Sequence, residues 1–539
     1  MQLTAAYQAF AALLLSSGKE SENMRLASAA QMKEADRIAI EERGIPSSVL
    51  MERAARHVVE EAAAFLKEHG EGRRIAVLCG PGNNGGDGVA AARFLKEKGM
   101  DVRAFLVGKR ERMTADTKLM EERLWKAGLQ LEDWMEDKKS WCRDADLIVD
   151  ALLGIGLKGE VRQETRDVLL WLDALDIPAL AVDIASGIGT DTGEVLGAAL
   201  HAAVTVTFTL PKFGHYEGQG LYYAGEIKVC DIGIPADVLK LALSGGDGAV
   251  FEACDEALAA SLLPARRKDG HKGTFGKVLI TGGSVGLTGA PVLASRGAAR
   301  TGSGLVFLNV PESVYPIVAA SCLEVMPSPL PEQNGKISSG ALFQILDRLN
   351  ACDAGLIGPG LGRSQELSLL VCKLLEQTAT PLVLDADGLY AVKDRKELLK
   401  RRYEKGLVTV LTPHEGEFAY LGGDLSAGRR RAALDFAKRY GCVLVLKGPG
   451  TVTASPDGRV YVNTTGNNGM AKGGSGDVLG GMTLSLMGQG MEAAEAAALA
   501  VYLHGLAGDI CCESLGEYGM LPGDLTERIP FAILRLQRR

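Results

Sequence analysis

Apolar positions along the chain follow two alternating rhythms. Short β-branched runs ending in glycine recur as IAVLCG (75–80), VRAFLVG (102–108), DLIVDALLG (146–154) and PALAVDIASG (178–187), and VTVTFTL (204–210) and EIKVCDIGIP (226–235) complete the series. Between them lie Ala/Leu-rich stretches with helical spacing, such as GVAAARFLKEKG (88–99). Strand and helix in alternation predict a largely parallel sheet covered by helices on both faces. The segment LSGGDGAV (243–250) breaks the rhythm, and a second series follows: KVLITGG (277–283), GLVFLNVP (304–311), AGLIGPG (354–360), PLVLDADG (381–388), LVTVLTPHEGE (407–417) and CVLVLKGPGT (442–451). NNGMAKGGSGDVLGG (467–481) opens a final helical region. The expected organisation is an α/β chain of two domains, 24–240 and 251–539, joined by a linker at 241–250.

Composition narrows the class. The chain has 539 residues, 47% hydrophobic and 23% charged, with a net charge of −8, which argues against a general nucleic-acid binder. Its ten cysteines lack CxxC spacing, and only Cys511 and Cys512 are adjacent; this is the usage of a reduced, cytoplasmic protein. The seven histidines form no HxH or HExxH pair, so a zinc site is not expected. No apolar run approaches the ~18 residues of a membrane span. Residues 1–23 have a short apolar core without the preceding positive charge of a secretory signal and are read as an upstream extension. Met24 then opens MRLASAAQMKEADRIAI, whose spacing is that of a helical domain start. A homo-oligomer is expected, without nucleic-acid or membrane partners.

Ligands in open parallel sheets bind beyond the carboxyl ends of the strands. The polar and glycine-rich motifs sit at such ends in both series, which places one site in each half. In the first half GPGNNG (80–85) matches GxGxxG, yet the next strand ends in VGKR (107–110) with no acid for a ribose. A glycine turn that merely lets helix and strand pack closely reads equally well. Asp150 and Asp183 end two apolar strands, and Ser186 follows the second. Asn84, Asp150 and Ser186 form a set of hard oxygens containing one carboxylate, suited to a weakly charged cation; such aspartates also cap turns without further purpose.

GPGNNGGDG (80–88), DALLGIGLKGE (150–160) and VDIASG (182–187) together resemble the epimerase domain of the bifunctional NAD(P)H-hydrate repair enzymes, over residues 24–240. The resemblance implies a Rossmann-like three-layer domain. It implies substrate contacts from Asn83, Asn84, Gly85, Gly86 and Asp87, from Gly154, Ile155, Gly156, Leu157, Lys158, Gly159 and Glu160, and from Asp183. It also implies potassium held by Asn84, Asp150 and Ser186. Ala185 departs from the family's usual proline, which bears on the rigidity of that turn. Asp87 is read as lying in a helix's first turn, where a negative charge is favoured. Asp183 is the expected acid/base group, with Lys158 as its electrostatic partner.

In the second half GGSGD (473–477) precedes a helix, so free amides and the helix dipole point at one place. An acid there takes the proton of an attacking hydroxyl, and a GxGD turn of this kind is shared by ribokinase-like kinases. The alternative is a tight helix start with an N-terminal aspartate. HKGTFG (271–276), GPGLG (358–362), TPHEGE (412–417), LKGPGT (446–451) and NNGMAKGGSGDVL (467–479) resemble the ADP/ATP-dependent NAD(P)H-hydrate dehydratases, over about 250–539. That implies a ribokinase-like domain in which Ala290, Gly362, His414 and the catalytic Asp477 meet the hydrate. Lys447, Gly448, Pro449, Gly450, Thr451 and Gly476 would meet ADP or ATP, with Mg2+ on the phosphates. Pro291 and Pro449 stand where alanine is commoner, and Pro449 removes one backbone donor.

Together the resemblances imply epimerisation of R- and S-NADHX or NADPHX and nucleotide-dependent dehydration of the S form; the domain order suggests ADP. Two other readings remain: a small-molecule kinase fused to a nucleotide-binding domain, which would release a stable phosphorylated product, and a non-catalytic sensor. The acidic groups Asp183 and Asp477 argue against the sensor.

Overall fold

In the computed structural model, residues 24–70, 72–244 and 248–538 are described; the 1–23 extension lies outside them. The first half is a seven-stranded, wholly parallel sheet, with β1 Arg74–Cys79, β2 Asp101–Leu106, β3 Leu131–Asp133, β4 Leu147–Ala151, β5 Ala179–Val182, β6 Val204–Phe208 and β7 Glu226–Cys230. Their order is β3-β2-β1-β4-β5-β6-β7. β4, β5 and β6 are buried at every position, as strands covered on both faces must be. The strand series read from the sequence is present, with β3 added; three residues are too few to show a period.

One helix starts earlier than its apolar pattern. It spans Asn83–Glu97, so NNGGD is helical rather than a loop before the helix. A side chain at Gly85 would run into the Gly80 carbonyl, and one at Gly88 into Ala151 and Cys79. The glycines let this helix lie directly on β1 and β4. Asp87 therefore stands beyond the first turn, which holds no acidic residue, and the expected dipole stabilisation is corrected.

The second half is a ten-stranded sheet: β8 Val250–Cys254, β9 Lys277–Thr281, β10 Leu305–Pro311, β11 Met326–Leu330, β14 Ala354–Ile357, β15 Leu382–Leu384, β16 Thr409–Leu411, β17 Val443–Leu446, β18 Val452–Ala454 and β19 Arg459–Asn463. The order is β11-β10-β9-β14-β15-β16-β17-β18-β19-β8, parallel except where β18 pairs antiparallel with β17 and β19. Two short strands, β12 Glu332–Gln333 and β13 Lys336–Ile337, form a separate ribbon. Helices Gly289–Arg300, Ser475–Gly488, Ala493–Gly519 and Pro522–Gln537 bury their apolar residues in one core over this sheet. By length and composition Ala493–Gly519 is apolar enough to cross a membrane, a stretch the sequence reading passed over. Most of it is packed inside the domain as a core helix.

The helix Ala236–Leu243 runs into the expected linker, and β8 begins at its far end. Met24–Ala27 are extended rather than helical, and the first helix begins at Ala29 behind a Ser28–Gln31 capping box. Leu26 donates its N–H to the Phe251 carbonyl (2.8 Å), and Ala253 donates to the Met24 carbonyl (2.9 Å). The chain start is thus an added edge on β8, joining the halves. Leu26, Phe213, Tyr216, Ala253 and Val462 bury one another there, and the Arg430 guanidinium lies 3.6 Å over the Phe213 ring while ion-pairing with Glu217.

Candidate active sites

The first sheet reverses its strand order between β1 and β4, and a cavity of about 810 Å³ opens at the carboxyl ends of these strands. Asn83, Asn84, Asp87, the loop residues Gly154 to Lys158, Glu160 and Asp183 line it. Gly85, Gly86 and Gly159 do not: Gly86 packs against Met51 and Thr117, and Gly159 makes a left-handed turn at φ 70°.

Asn84, Asp150 and Ser186 meet around the Leu153 carbonyl. Asn84 Nδ2 donates to that oxygen (3.1 Å), and Ser186 Oγ lies 3.3 Å from it. Ser186 also donates through Oγ (2.6 Å) and N (2.9 Å) to the Asp150 carboxylate. Asp150 is fully buried and makes no ion pair with a basic side chain among the described residues. Burial pushes its carboxyl up, against the pull of the Ser186 and Leu152 hydrogen bonds. A buried carboxylate hydrogen-bonded to Ser186, which also reaches the Leu153 carbonyl that Asn84 contacts, supplies hard oxygens of the kind a monovalent cation takes.

Asp183 takes φ 69°, a strained value for a non-glycine residue, at the end of β5. Its partner is Lys212, not Lys158. Lys212 is 1% exposed and ion-pairs with Asp183. It also donates to Thr207 Oγ1 (2.8 Å) and the Phe208 carbonyl (3.2 Å), so all its protons are used. Lys158 is an exposed loop residue at the cavity mouth. Lys212 escaped the sequence reading because it follows β6 after the intervening TLP, outside any glycine motif. His215 takes the Lys212 N–H on Nδ1 (3.1 Å) and places Nε2 at 3.0 Å from the Asp183 carbonyl; burial and the Lys212 charge lower it to about 4, so it is neutral. Two carboxyls share this electrostatic field. Burial, then repulsion from Asp183, raises Asp36 to about 6, and burial with the same repulsion holds Asp87 well above the usual carboxylate range. Lys212 opposes both shifts.

The second site lies at the carboxyl ends of β14 to β17. The helix Ser475–Gly488 begins behind Gly474 at φ 106°, which puts Gly476 and Asp477 in its first turn. Buried beneath this end, Ser475 Oγ has no hydrogen-bond partner among the described residues, a free donor where amides and dipole favour an anion. Lys447 follows β17 and sends Nζ to Asp385 Oδ1 (2.9 Å), beside the position a Gly476 side chain would take. Burial acts to lower Lys447, but Asp385, Glu417 and Asp477 outweigh it and hold the ammonium charged. Burial and then Asp385 push Asp477 up to about 7, with Lys447 opposing. Thr451 Oγ1 closes the Lys447–Thr451 loop on the Gly448 carbonyl (2.8 Å).

His414 caps the helix Glu415–Tyr420: its Nδ1 accepts from Glu417 N (3.2 Å), and its Nε2 lies 3.6 Å from Glu417 Oε2. Gly362 donates its N–H to Asp387 Oδ2 (2.8 Å), and Ala290 abuts the GPGLG turn at Gly360. Asp385 went unremarked in the sequence, although it ends β15 as Asp150 and Asp183 end theirs. Among the described residues no group of three or more His, Cys, Asp or Glu side chains is placed to hold a metal ion.

The profile of the NAD(P)H-hydrate dehydratase family matches residues 278–531, and that of the YjeF-related protein N-terminus matches 47–214. The chain is 40% identical over 524 residues to the bifunctional NAD(P)H-hydrate repair enzyme Nnr of Moorella thermoacetica, covering 95% of this chain and 97% of that one. It is 38% identical to the protein of the same name from Thermofilum pendens, again over 95% and 97%. Among solved structures it is similar to the ADP/ATP-dependent NAD(P)H-hydrate dehydratase of Bacillus subtilis co-crystallized with ATP/Mg2+, at 30% identity and a TM-score of 0.46, over 54% of this chain and all of that one.

Proposed function

The chain belongs to the family of bifunctional NAD(P)H-hydrate repair enzymes, and from that premise we propose a division of labour between its two sites. The first interconverts the R and S epimers of NADHX and NADPHX; the second dehydrates the S epimer with ADP or ATP as phosphoryl donor. In the hydrate the C6 hydroxyl sits next to the ring nitrogen, whose lone pair expels it once the oxygen is protonated. Asp87, whose carboxyl burial and the Asp183 charge raise well above the usual carboxylate range, supplies that proton; Asp183, ion-paired to Lys212, takes a proton from the water that returns to the opposite face, and proton exchange with solvent restores both carboxyls. Asn84, Asp150 and Ser186 would hold K+, whose charge balances the buried Asp150 and fixes the 153–154 turn at the cavity.

In the second site Asp477 accepts the proton of the C6 hydroxyl as that oxygen attacks the terminal phosphorus. The P–O bond to the nucleotide breaks, giving AMP from ADP or ADP from ATP. The ring nitrogen then expels phosphate, and loss of the C5 proton leaves NAD(P)H. Lys447 and the amides of Gly474 to Gly476 face the transferring group, while Mg2+ bound with the nucleotide would offset its phosphate charge. His414, Gly362 and Ala290 position the hydrate. A cytoplasmic setting suits the ten free cysteines.

The observation that carries this reading is Asp477 itself. It is a carboxyl pushed up to about 7, in the first turn of a helix with an anion cradle, beside a charged lysine. Incubation with mixed hydrate epimers and either nucleotide, following NAD(P)H absorbance, tests it. Full conversion of both epimers is expected. A stable phosphorylated product without NAD(P)H would make the protein a kinase instead.

A further inference from the structure

Beside the second site the helices Asp387–Val392 and Glu415–Tyr420 enclose a separate cavity of about 170 Å³. Its wall is a pair of stacked rings, Tyr390 and Tyr420, 5.2 Å apart at 26°. Tyr420 is 48% exposed, so its outer face is open. Two cations bracket the pair. Lys393 Nζ lies 4.6 Å from each ring centre and 2.9 Å from Tyr420 Oη, and the Arg363 guanidinium lies 4.8 Å from Tyr390. Arg363 is ion-paired to Asp387, whereas Lys393 has no carboxylate partner among the described residues. Ala386, also in the lining, is held at φ 48°, a conformation an alanine adopts only under constraint. The cavity shares His414 and Glu417 with the second site, and Arg363 directly follows Gly362. None of the chemistry above uses Tyr390, Tyr420 or Lys393.

An exposed aromatic face with an unneutralised ammonium above it recognises a planar base joined to an anionic group. We propose that this cavity binds the adenosine half of the hydrated dinucleotide, its base on the tyrosines and the 2′-phosphate of NADPHX at Lys393 and Arg363. The assignment rests on the dehydratase reading and makes the second site selective for NADPHX over NADHX.

The test uses the full chain and chemically prepared NADPHX and NADHX, with adenosine 2′,5′-bisphosphate as a fragment probe. Tyr420→Ala should raise KM for both hydrates about tenfold, the cost of a lost base–ring stack. Lys393→Met should raise KM about tenfold for NADPHX only, with kcat and the nucleotide KM unchanged. The bisphosphate should compete with hydrate and not with ADP, and Lys393→Met should weaken it by the same factor. If Tyr420→Ala does not fold, the surface change Lys393→Met carries the test. An active wild type with unchanged hydrate KM in the variants, or with a raised nucleotide KM instead, overturns the subsite alone. A wild type that regenerates no NAD(P)H overturns the dehydratase reading together with it.

Discussion

Replacing Asp477 by Asn separates chemistry from stability, because the two should move in opposite directions. Asn keeps the size and hydrogen-bonding capacity but cannot take the hydroxyl proton, and loss of a general base costs ~10²–10⁴ in rate. Folding raises this carboxyl from its ordinary 3.8 to about 7. Between those values the folded chain holds a proton that the unfolded chain has lost, so stability falls as pH rises from about 4 to about 7. The whole cost is present above that. At ~1.4 kcal/mol per unit the upper limit is about 4 kcal/mol at pH 8. Asp477 is partly exposed and solvent screening reduces the figure to about 1–2 kcal/mol. Asp477→Asn should therefore melt several degrees higher at pH 8 and no higher at pH 4. Dehydration should nearly stop, and nucleotide binding and epimerisation should persist. Thermal melts at both pH values, a dehydration assay and nucleotide titration check this. A variant that turns over within tenfold of wild type, or that melts lower at pH 8, would refute the argument from burial and Asp385 repulsion.

Three further outcomes follow from the same geometry. The wild-type dehydration rate should climb as pH rises through about 7, since the base works only when deprotonated, and the limb should vanish in Asp477→Asn. Asp150→Ala removes the one carboxylate among Asn84, Asp150 and Ser186; epimerisation should weaken and lose its response to K+, with dehydration of the S epimer intact, and a retained K+ response would reject the ligand set. Arg402, 3% exposed, donates to the carbonyls of Leu375, Thr378 and Thr380 and to Thr409 Oγ1. Arg402→Met strands those acceptors and should cost about 3–5 kcal/mol in denaturant unfolding, while little change would show that water replaces the guanidinium.

The sequence by itself determined the two α/β halves and the place of each site. Uninterrupted apolar runs such as LIV (147–149) and VLVL (443–446) specify covered parallel strands, and the polar residue ending each run marks the sheet edge where ligands bind. Asp150, Asp183 and His414 were picked out for that reason, and Asn84 and Asp477 by the glycine-rich segments that precede or contain them. Tertiary structure alone decided which charges meet. Lys212 reaches Asp183 only because β6 lies beside β5, a neighbourhood that local spacing does not encode, while Lys158, nearer to the glycine motifs, is left in solvent. Asp385 gains its meaning only when β17 delivers Lys447 to it, across β16. NNGGD became helix against its glycine content because packing on β1 and β4 leaves no room for larger residues. Met24–Ala27 became an edge segment because β8 offered unpaired backbone groups that a helix there would leave unsatisfied. Local pattern sets what each segment buries; the partner of a buried charge depends on strand order, which is a property of the whole sheet.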